Sequence, residues 1–240
     1  MSEPATELLE RFARGDRRAL AEILTLVELG RPLSPPPAPK VSATRVVGIT
    51  GSGGSGKSTL VAALVGHLRK QGLRVAVLAC DPQSPLTGGA LLGDRIRVRL
   101  DPDDEDVYFR SLSTRGASGG ISEAIGSDIE WLKAFGFDVV LVETVGVGQD
   151  QVAVRCHVET LVLLVTPHTG DEIQWEKAGL IEVADLVVVN KSDLPGADRV
   201  RQQLHSALTL SPGAPEVPIL PVIAATGEGV AELWEAIAGA

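Results

Sequence analysis

Aromatic residues are scarce in this chain, at 3% of the total. Its core must therefore be filled by Val, Leu, Ile and Ala, a composition that suits buried parallel strands covered by helices. Cysteine is rarer still: Cys80 and Cys156 are the two in 240 residues. That excludes a disulfide framework, and a reducing, cytoplasmic setting is expected. No run of about 18 apolar residues occurs, so no membrane span is expected. The N-terminal MSEPATELLERFARGDRR is charged and has no continuous apolar stretch, so it is not read as a secretory signal. Basic charge is outweighed, with 22 Lys and Arg against 31 Asp and Glu and a net charge of -9. A broad basic face for nucleic acid or an anionic membrane is thereby excluded.

Hydrophobic residues make up 44% of the chain, enough for a sizeable core. Leu8, Leu9, Phe12, Leu20, Ile23, Leu24 and Val27 recur at helical spacing, interrupted at Gly15 and Asp16. Two short helices follow from this, with Asp16 capping the second. The proline-rich RPLSPPPAPK forbids a helix and reads as an extended connector. Residues 1–40 are thus expected as a helical appendage with its connector, and residues 41–240 as the main domain. Strands are expected at 46–50, 75–80, 138–144, 161–166, 186–190 and 219–224. Helices are expected at 57–71, 121–135, 171–183, 197–209 and 228–238. This alternation predicts an α/β fold, a mostly parallel sheet with helices on both faces. Residues 81–120, rich in Gly, Asp, Ser and Arg, are expected as long loops with one or two short strands.

The stretch GSGGSGKST matches G-x-x-x-x-G-K-[ST], a P-loop, with Gly51, Gly56, Lys57 and Ser58 at the fixed positions. An apolar strand precedes it and a helical pattern follows, so a flexible linker is the poorer reading. Glycines let backbone amides approach phosphate oxygens, and the helix start adds unpaired N–H donors. Gly51, Ser52, Gly53, Gly54, Ser55, Gly56, Lys57, Ser58 and Thr59 are the expected phosphate contacts. Lys57 would reach the terminal phosphates, and Ser58 would ligate Mg²⁺.

NKSD, at the end of LVVVN, has the N-K-x-D form of a guanine reader. Asp193 can accept from guanine N1–H and the N2 amine, whereas adenine presents a lone pair and no amine. A buried polar group left unpaired costs about 1–3 kcal/mol, enough for strong discrimination. The Lys191 stem would cover the base, and Asn190 would tie this loop to the phosphate loop. AATGE, which includes Ala225, would add backbone contacts to the base. GTP and GDP are therefore the expected nucleotides.

Asp81, Asp94 and Glu143 lie at or just beyond strand ends. An ion bridging β- and γ-phosphates needs carboxylates near it, although each acid also reads as a cap or a solvated loop charge. Gln149, in VGVGQD, is a candidate to position the attacking water, and a structural role fits it equally.

Four stretches together resemble the MeaB/ArgK/MMAA family of P-loop GTPases, of the SIMIBI class. They are GSGGSGKSTL, VLACDPQSPLTGGALLGDR, FDVVLVETVGVGQD and GDEIQWEKAGLIEVADLVVVNKSD. The resemblance extends from about Ala5 to the C-terminus. It implies a GTPase that serves an adenosylcobalamin-dependent acyl-CoA mutase, gating cofactor loading and protecting or reactivating the mutase. It places Asp81, Asp94 and Glu143 on the family's magnesium and catalytic acids. It places Gln174 and Lys177 on a third switch loop that couples partner binding to hydrolysis; the bare pattern reads as a solvated helix face. A homodimer is implied, although the chain stops after VAELWEAIAGA, where some members carry a helical arm. RSLSTRGASGGIS is more similar to G domains joined to isobutyryl-CoA-type mutases.

Three other readings share the phosphate loop. A nickel-insertion GTPase would need a Cys/His relay; Cys156-His157 reads instead as a packing residue beside a surface ring. A small-molecule kinase would need an acceptor pocket, and no pattern marks one. A GTP-dependent scaffold would share the site without turnover.

Overall fold

The apolar run at 46–50 forms β1 (Arg45–Gly51), at the centre of a seven-stranded sheet. The structure is a computed structural model. It describes residues 3–31, 33, 35–40, 43–82, 103–114, 120–144, 154–167, 178–209 and 217–239. The other strands are β2 (Val75–Pro82), β3 (Val107–Thr114), β4 (Val139–Glu143), β5 (Thr160–Val165), β6 (Leu186–Asn190) and β7 (Ile219–Val222). Their order is β3-β2-β4-β1-β5-β6-β7, and each neighbouring pair is parallel. The chain winds from β1 outward to β2 and β3, returns at β4, and then continues past β1 to β5. The winding direction therefore reverses around β1, and a crevice opens beyond the C-terminal strand ends at that point.

Helices cover both faces, as parallel strands require. They are α1 (Glu3–Ala13), α2 (Arg17–Glu28), α3 (Lys57–Lys70), α4 (Gly120–Phe135), α5 (Ala178–Val183), α6 (Ala197–Thr209) and α7 (Val230–Gly239). Side chains alternate across β1 because successive residues of a strand point to opposite faces. Val47 and Ile49 join Leu60, Leu64 and Leu68 of α3 and Leu233 and Ile237 of α7. Val46 joins Leu20, Ile23 and Leu24 of α2 and Ile125, Ile129 and Leu132 of α4. A third cluster packs α5 and α6 on Leu163, Val165, Val187 and Val189.

The two N-terminal helices contribute to this core. Phe12 and Leu20 are buried, and Phe12 meets Trp131 edge-on with ring centroids 5.1 Å apart. Asp16 caps α2 by accepting from the backbone N–H groups of Arg18 at 2.8 Å and Ala19 at 3.4 Å. Arg110 of β3 holds α2 from the side, donating to Glu28 at 2.5 Å and to the Ala21 carbonyl at 3.2 Å. Arg17 donates to the Glu105 carbonyl at 2.7 Å, just before the edge strand begins.

The stretch read as loops with short strands contains an eight-residue strand, β3, paired with β2 along its whole length. Its polar members explain the faint signal. Arg110 is spent on α2 rather than on solvent, and an edge strand needs few apolar residues on its open side. The last strand is shorter than expected, because the chain leaves it for a turn closed by an Ile223–Glu228 bridge. Of the helix expected at 171–183, the described part is α5.

Candidate nucleotide site

The phosphate loop leaves β1 at Gly51 and enters α3 at Gly56. Gly56 has φ 95, and a Cβ there would run into Asn190 Nδ2. Both the backbone angle and the close approach demand glycine. The first helical bond, from the Leu60 N–H to the Gly56 carbonyl, is 2.9 Å. The amides of Lys57, Ser58 and Thr59 lie before it, and a helix start leaves such donors without intrahelical partners.

Lys57 is buried, and its ammonium donates to the Gly51 carbonyl at 3.0 Å and the Ser52 carbonyl at 3.1 Å. It is thereby held folded over the loop. The Ser58 hydroxyl donates to Glu143 Oε1 at 2.6 Å, and Glu143 is itself buried. The Ser52 and Ser55 hydroxyls are buried with no hydrogen-bond partner among the described residues.

Register explains how the acids come together. Glu143 of β4 lies level with Ile49 of β1 and Ala79 of β2. Asp81 lies two residues further along β2, the level that Gly51 occupies on β1. The C-terminal ends of three adjacent strands thus present Gly51, Glu143 and Asp81 to one crevice. For Asp81 this statement concerns the backbone alone, since its side chain lies outside the described residues, as do Asp94, Gln149, Gln174 and Lys177.

A second group approaches from β6. Asn190 is buried; its amide donates to the Ser55 carbonyl at 2.8 Å, and its Oδ1 accepts from the Ala224 N–H at 3.1 Å. Lys191 has φ 58, a positive value that no other non-glycine residue shares among the described residues. That turn sends its ammonium back to the Gly54 carbonyl at 3.0 Å. Asp193 follows β6 and Ala225 follows β7, and both are exposed. The tie expected between this loop and the phosphate loop is made at Ser55, and Ala224 joins the same hydrogen-bonded unit, with Asn190 at its centre.

The donor set suits a nucleoside polyphosphate with a hard divalent cation. Bare amides and an ammonium face the phosphate position, and a hydroxyl and a carboxylate supply the oxygen ligands that magnesium prefers. The pair of buried serine hydroxyls in a glycine-walled cradle fits a site shaped for an oxygen-rich ligand. Sequence reasoning missed one further contact: the Thr144 hydroxyl donates to Thr50 Oγ1 at 3.0 Å and so joins the ends of β4 and β1. A lone Thr after VE carries no signal for such a pairing. Cys156 proves to be the exposed member of the Cys-His pair, and the His157 ring packs over Gly126 of α4. Among the described residues no group of three or more His, Cys, Asp or Glu could hold a metal ion.

A family model described as methylmalonyl-CoA mutase-associated GTPase MeaB matches residues 20–239. A Pyrococcus horikoshii protein whose name assigns it to the GTPases is 46% identical over 98% of this chain and 77% of its own. The mouse methylmalonic aciduria type A homolog, a mitochondrial protein, is 38% identical over 93% of this chain and 60% of its own. A fused isobutyryl-CoA mutase of Cupriavidus metallidurans is 37% identical over 98% of this chain, which spans 23% of that protein. Among solved structures, a LAO/AO transport system kinase superposes with a TM-score of 0.73 at 30% identity, covering 100% of this chain and 76% of its own. The hydrogenase maturation factor HypB of Archaeoglobus fulgidus shares the fold, with a TM-score of 0.60 at 20% identity over 99% of this chain and 98% of its own.

Proposed function

We propose that this chain, which belongs to the MeaB family of methylmalonyl-CoA mutase-associated GTPases, binds and slowly hydrolyses GTP and uses that cycle to gate adenosylcobalamin loading into an acyl-CoA mutase. The observation that carries the nucleotide reading is the double tie of Asn190, to Ser55 in the phosphate loop and to Ala224 in the base turn. It sets the distance between the polyphosphate grip and the purine reader. The mutase half of the reading is supported by the family description and by the fused isobutyryl-CoA mutase relative.

In this reading Lys57 releases the two loop carbonyls, in part or whole, and places its charge against the β- and γ-phosphate oxygens. The backbone amides of the loop hold those oxygens in line. Stabilisation of developing charge by such fixed donors is the main contribution expected of the protein. Magnesium, when bound, supplies further charge neutralisation on the phosphates, and Ser58, Asp81, Asp94 and Glu143 are the residues to hold it directly or through water. Asp193 accepts from the guanine N1–H and N2 amine, beneath the stem of Lys191. Gln149 orients water, and Gln174 and Lys177 couple the partner to hydrolysis. The γ-phosphate orders the segments that follow β2 and β4, and its loss frees them, which changes the surface offered to the mutase. The chain acts as a homodimer in the cytoplasm.

The test has three parts. Calorimetry should show GDP and GTP binding at least about 100-fold tighter than ADP and ATP. Asp193→Asn should move the preference to xanthine nucleotides. Phosphate release should be slow for the chain alone and faster with an adenosylcobalamin-dependent acyl-CoA mutase. Tighter ATP binding overturns the nucleotide reading, and a rate indifferent to every such mutase overturns the partner reading.

A further inference from the structure

A groove of about 890 Å³ runs down the molecule between α3 and α7, and its upper end adjoins the proposed base site. There it is walled by Thr59, the residue after Ser58, and by the turn from Ala224 to Gly227 that follows β7. Ala62 and Gly66 keep its floor open, and His67 and Lys70 line its lower end. Among the described residues, none that lines the groove is acidic, in a chain where acids outnumber bases 31 to 22. Lys70 is exposed and makes no ion pair among the described residues. His67 is half-buried, and its ring contacts Gln71 at 2.9 Å. At about 1.5 Å rise per residue, His67 lies about 12 Å below Thr59 along α3, and Lys70 about 17 Å below it.

The chemistry of a nucleotide limits what can enter from above. The 5′-phosphates leave the ribose toward Lys57, and the purine leaves C1′ toward Asp193. The remaining substitutable positions of the ribose are its 2′ and 3′ oxygens. A groove that starts beside the nucleoside and carries two basic side chains, which on a helix reach back toward its N-terminus, suits a diphosphate on one of those oxygens. We infer that the α3–α7 groove is a subsite for guanine nucleotides carrying an additional diphosphate on a ribose hydroxyl, with His67 and Lys70 as its anion contacts. This rests on the guanine-nucleotide reading above and deepens it: in its GDP form such a ligand would compete with GTP for the same loop and, having no γ-phosphate, would leave nothing to hydrolyse. The competing explanation is that basic side chains gather at the end of α3 because the helix dipole favours them there. That explanation predicts an effect of His67 and Lys70 on stability and none on ligand selectivity.

Calorimetry on the full chain with magnesium separates the two. The probes are GDP, GDP bearing a diphosphate on the 3′ oxygen, and GDP bearing a diphosphate on the 2′ oxygen. One of the substituted nucleotides is expected to bind about tenfold tighter than GDP, the gain that two solvent-exposed ion contacts supply. Which of them gains identifies the oxygen. The advantage shrinks as salt is raised. It disappears in the His67→Gln, Lys70→Gln double variant, which still binds GDP within twofold of the parent; thermal melting confirms that the variant is folded. Equal affinity for all three nucleotides overturns the inference and leaves the function reading intact. An advantage that survives in the double variant overturns the assignment of these two residues and with it the subsite. Failure of GDP itself to bind overturns the guanine reading, and the subsite falls with it.

Discussion

The crevice at the strand ends and the α2–β3–α4 flank are built from the same kinds of residues and solve opposite problems. In the crevice, polar groups hydrogen-bond one another around the turn from β1 to α3: Lys57 to two carbonyls, Ser58 to Glu143, Asn190 to two backbone groups. On the flank, Arg110 reaches α2 beside the apolar cluster of Phe12, Leu20, Ile23 and Ile129 and holds that helix to the sheet edge. The difference teaches that burial alone does not mark function here. Asp128 of α4 is fully buried and neither of its oxygens has a hydrogen-bond partner among the described residues, yet it lies on the flank. Ser55 is as buried, and it lies in the cradle.

Four substitutions sharpen the contrast, from the largest expected effect to the smallest. Lys57→Ala should lower phosphate release by about 10² to 10³, since it removes a fixed charge from the reacting phosphates. Its melting temperature should stay close to that of the parent. Equal turnover in the variant would show that the crevice is not the catalytic centre. Phe12→Ala should do the reverse, with a stability loss of about 3–5 kcal/mol in urea titration and an unchanged nucleotide affinity in the folded fraction. If Phe12→Ala weakened nucleotide binding as well, the two regions would be coupled.

Asp128→Asn tests the orphaned acid. Burial pushes its carboxyl up to about 8, Glu28 of α2 adds to the rise, and Arg110 of β3 opposes it. Tyr108 of β3 is the other titratable group facing it. The folded state therefore holds this proton more tightly than the unfolded chain does. The acid's contribution to stability is complete below about 4 and is lost as pH rises toward about 8. Asp128→Asn keeps the shape and removes the titration, so it should stabilise the chain at pH 8 by about 1–3 kcal/mol and flatten the pH dependence of unfolding between those limits. An unchanged profile would mean that Asp128 is solvated. Asp16→Ala should lower the urea midpoint slightly by uncapping α2, with nucleotide affinity untouched.

Legibility in the sequence divided along the same line. GSGGSGKST and NKSD were visible because each is a local pattern whose geometry follows from adjacent residues: a strand, a turn that needs glycine, a helix start. The strands VVGIT, VAVLAC and LVVVN were visible for a related reason, since strands buried on both faces read as continuous apolar runs. VYFRSLST was not, because its Arg110 makes sense only once Glu28 and Ala21 stand beside it. Nor did anything in the string show that α1 and α2 would pack their apolar faces on α4, or that a groove would open between α3 and α7.

By itself, then, the order of residues determined the α/β class, the family, the phosphate cradle and the strand-end turn that reads like a purine pocket, because all of these depend on neighbours a few positions apart. Tertiary structure alone decided that the Asn190 tied to Ser55 would also accept from the Ala224 N–H, 34 residues away in the chain. It also decided that Ser58 would meet Glu143 and that Asp128 would be sealed beneath α2. Such contacts depend on the strand order of the sheet, which brings together segments that no local pattern relates.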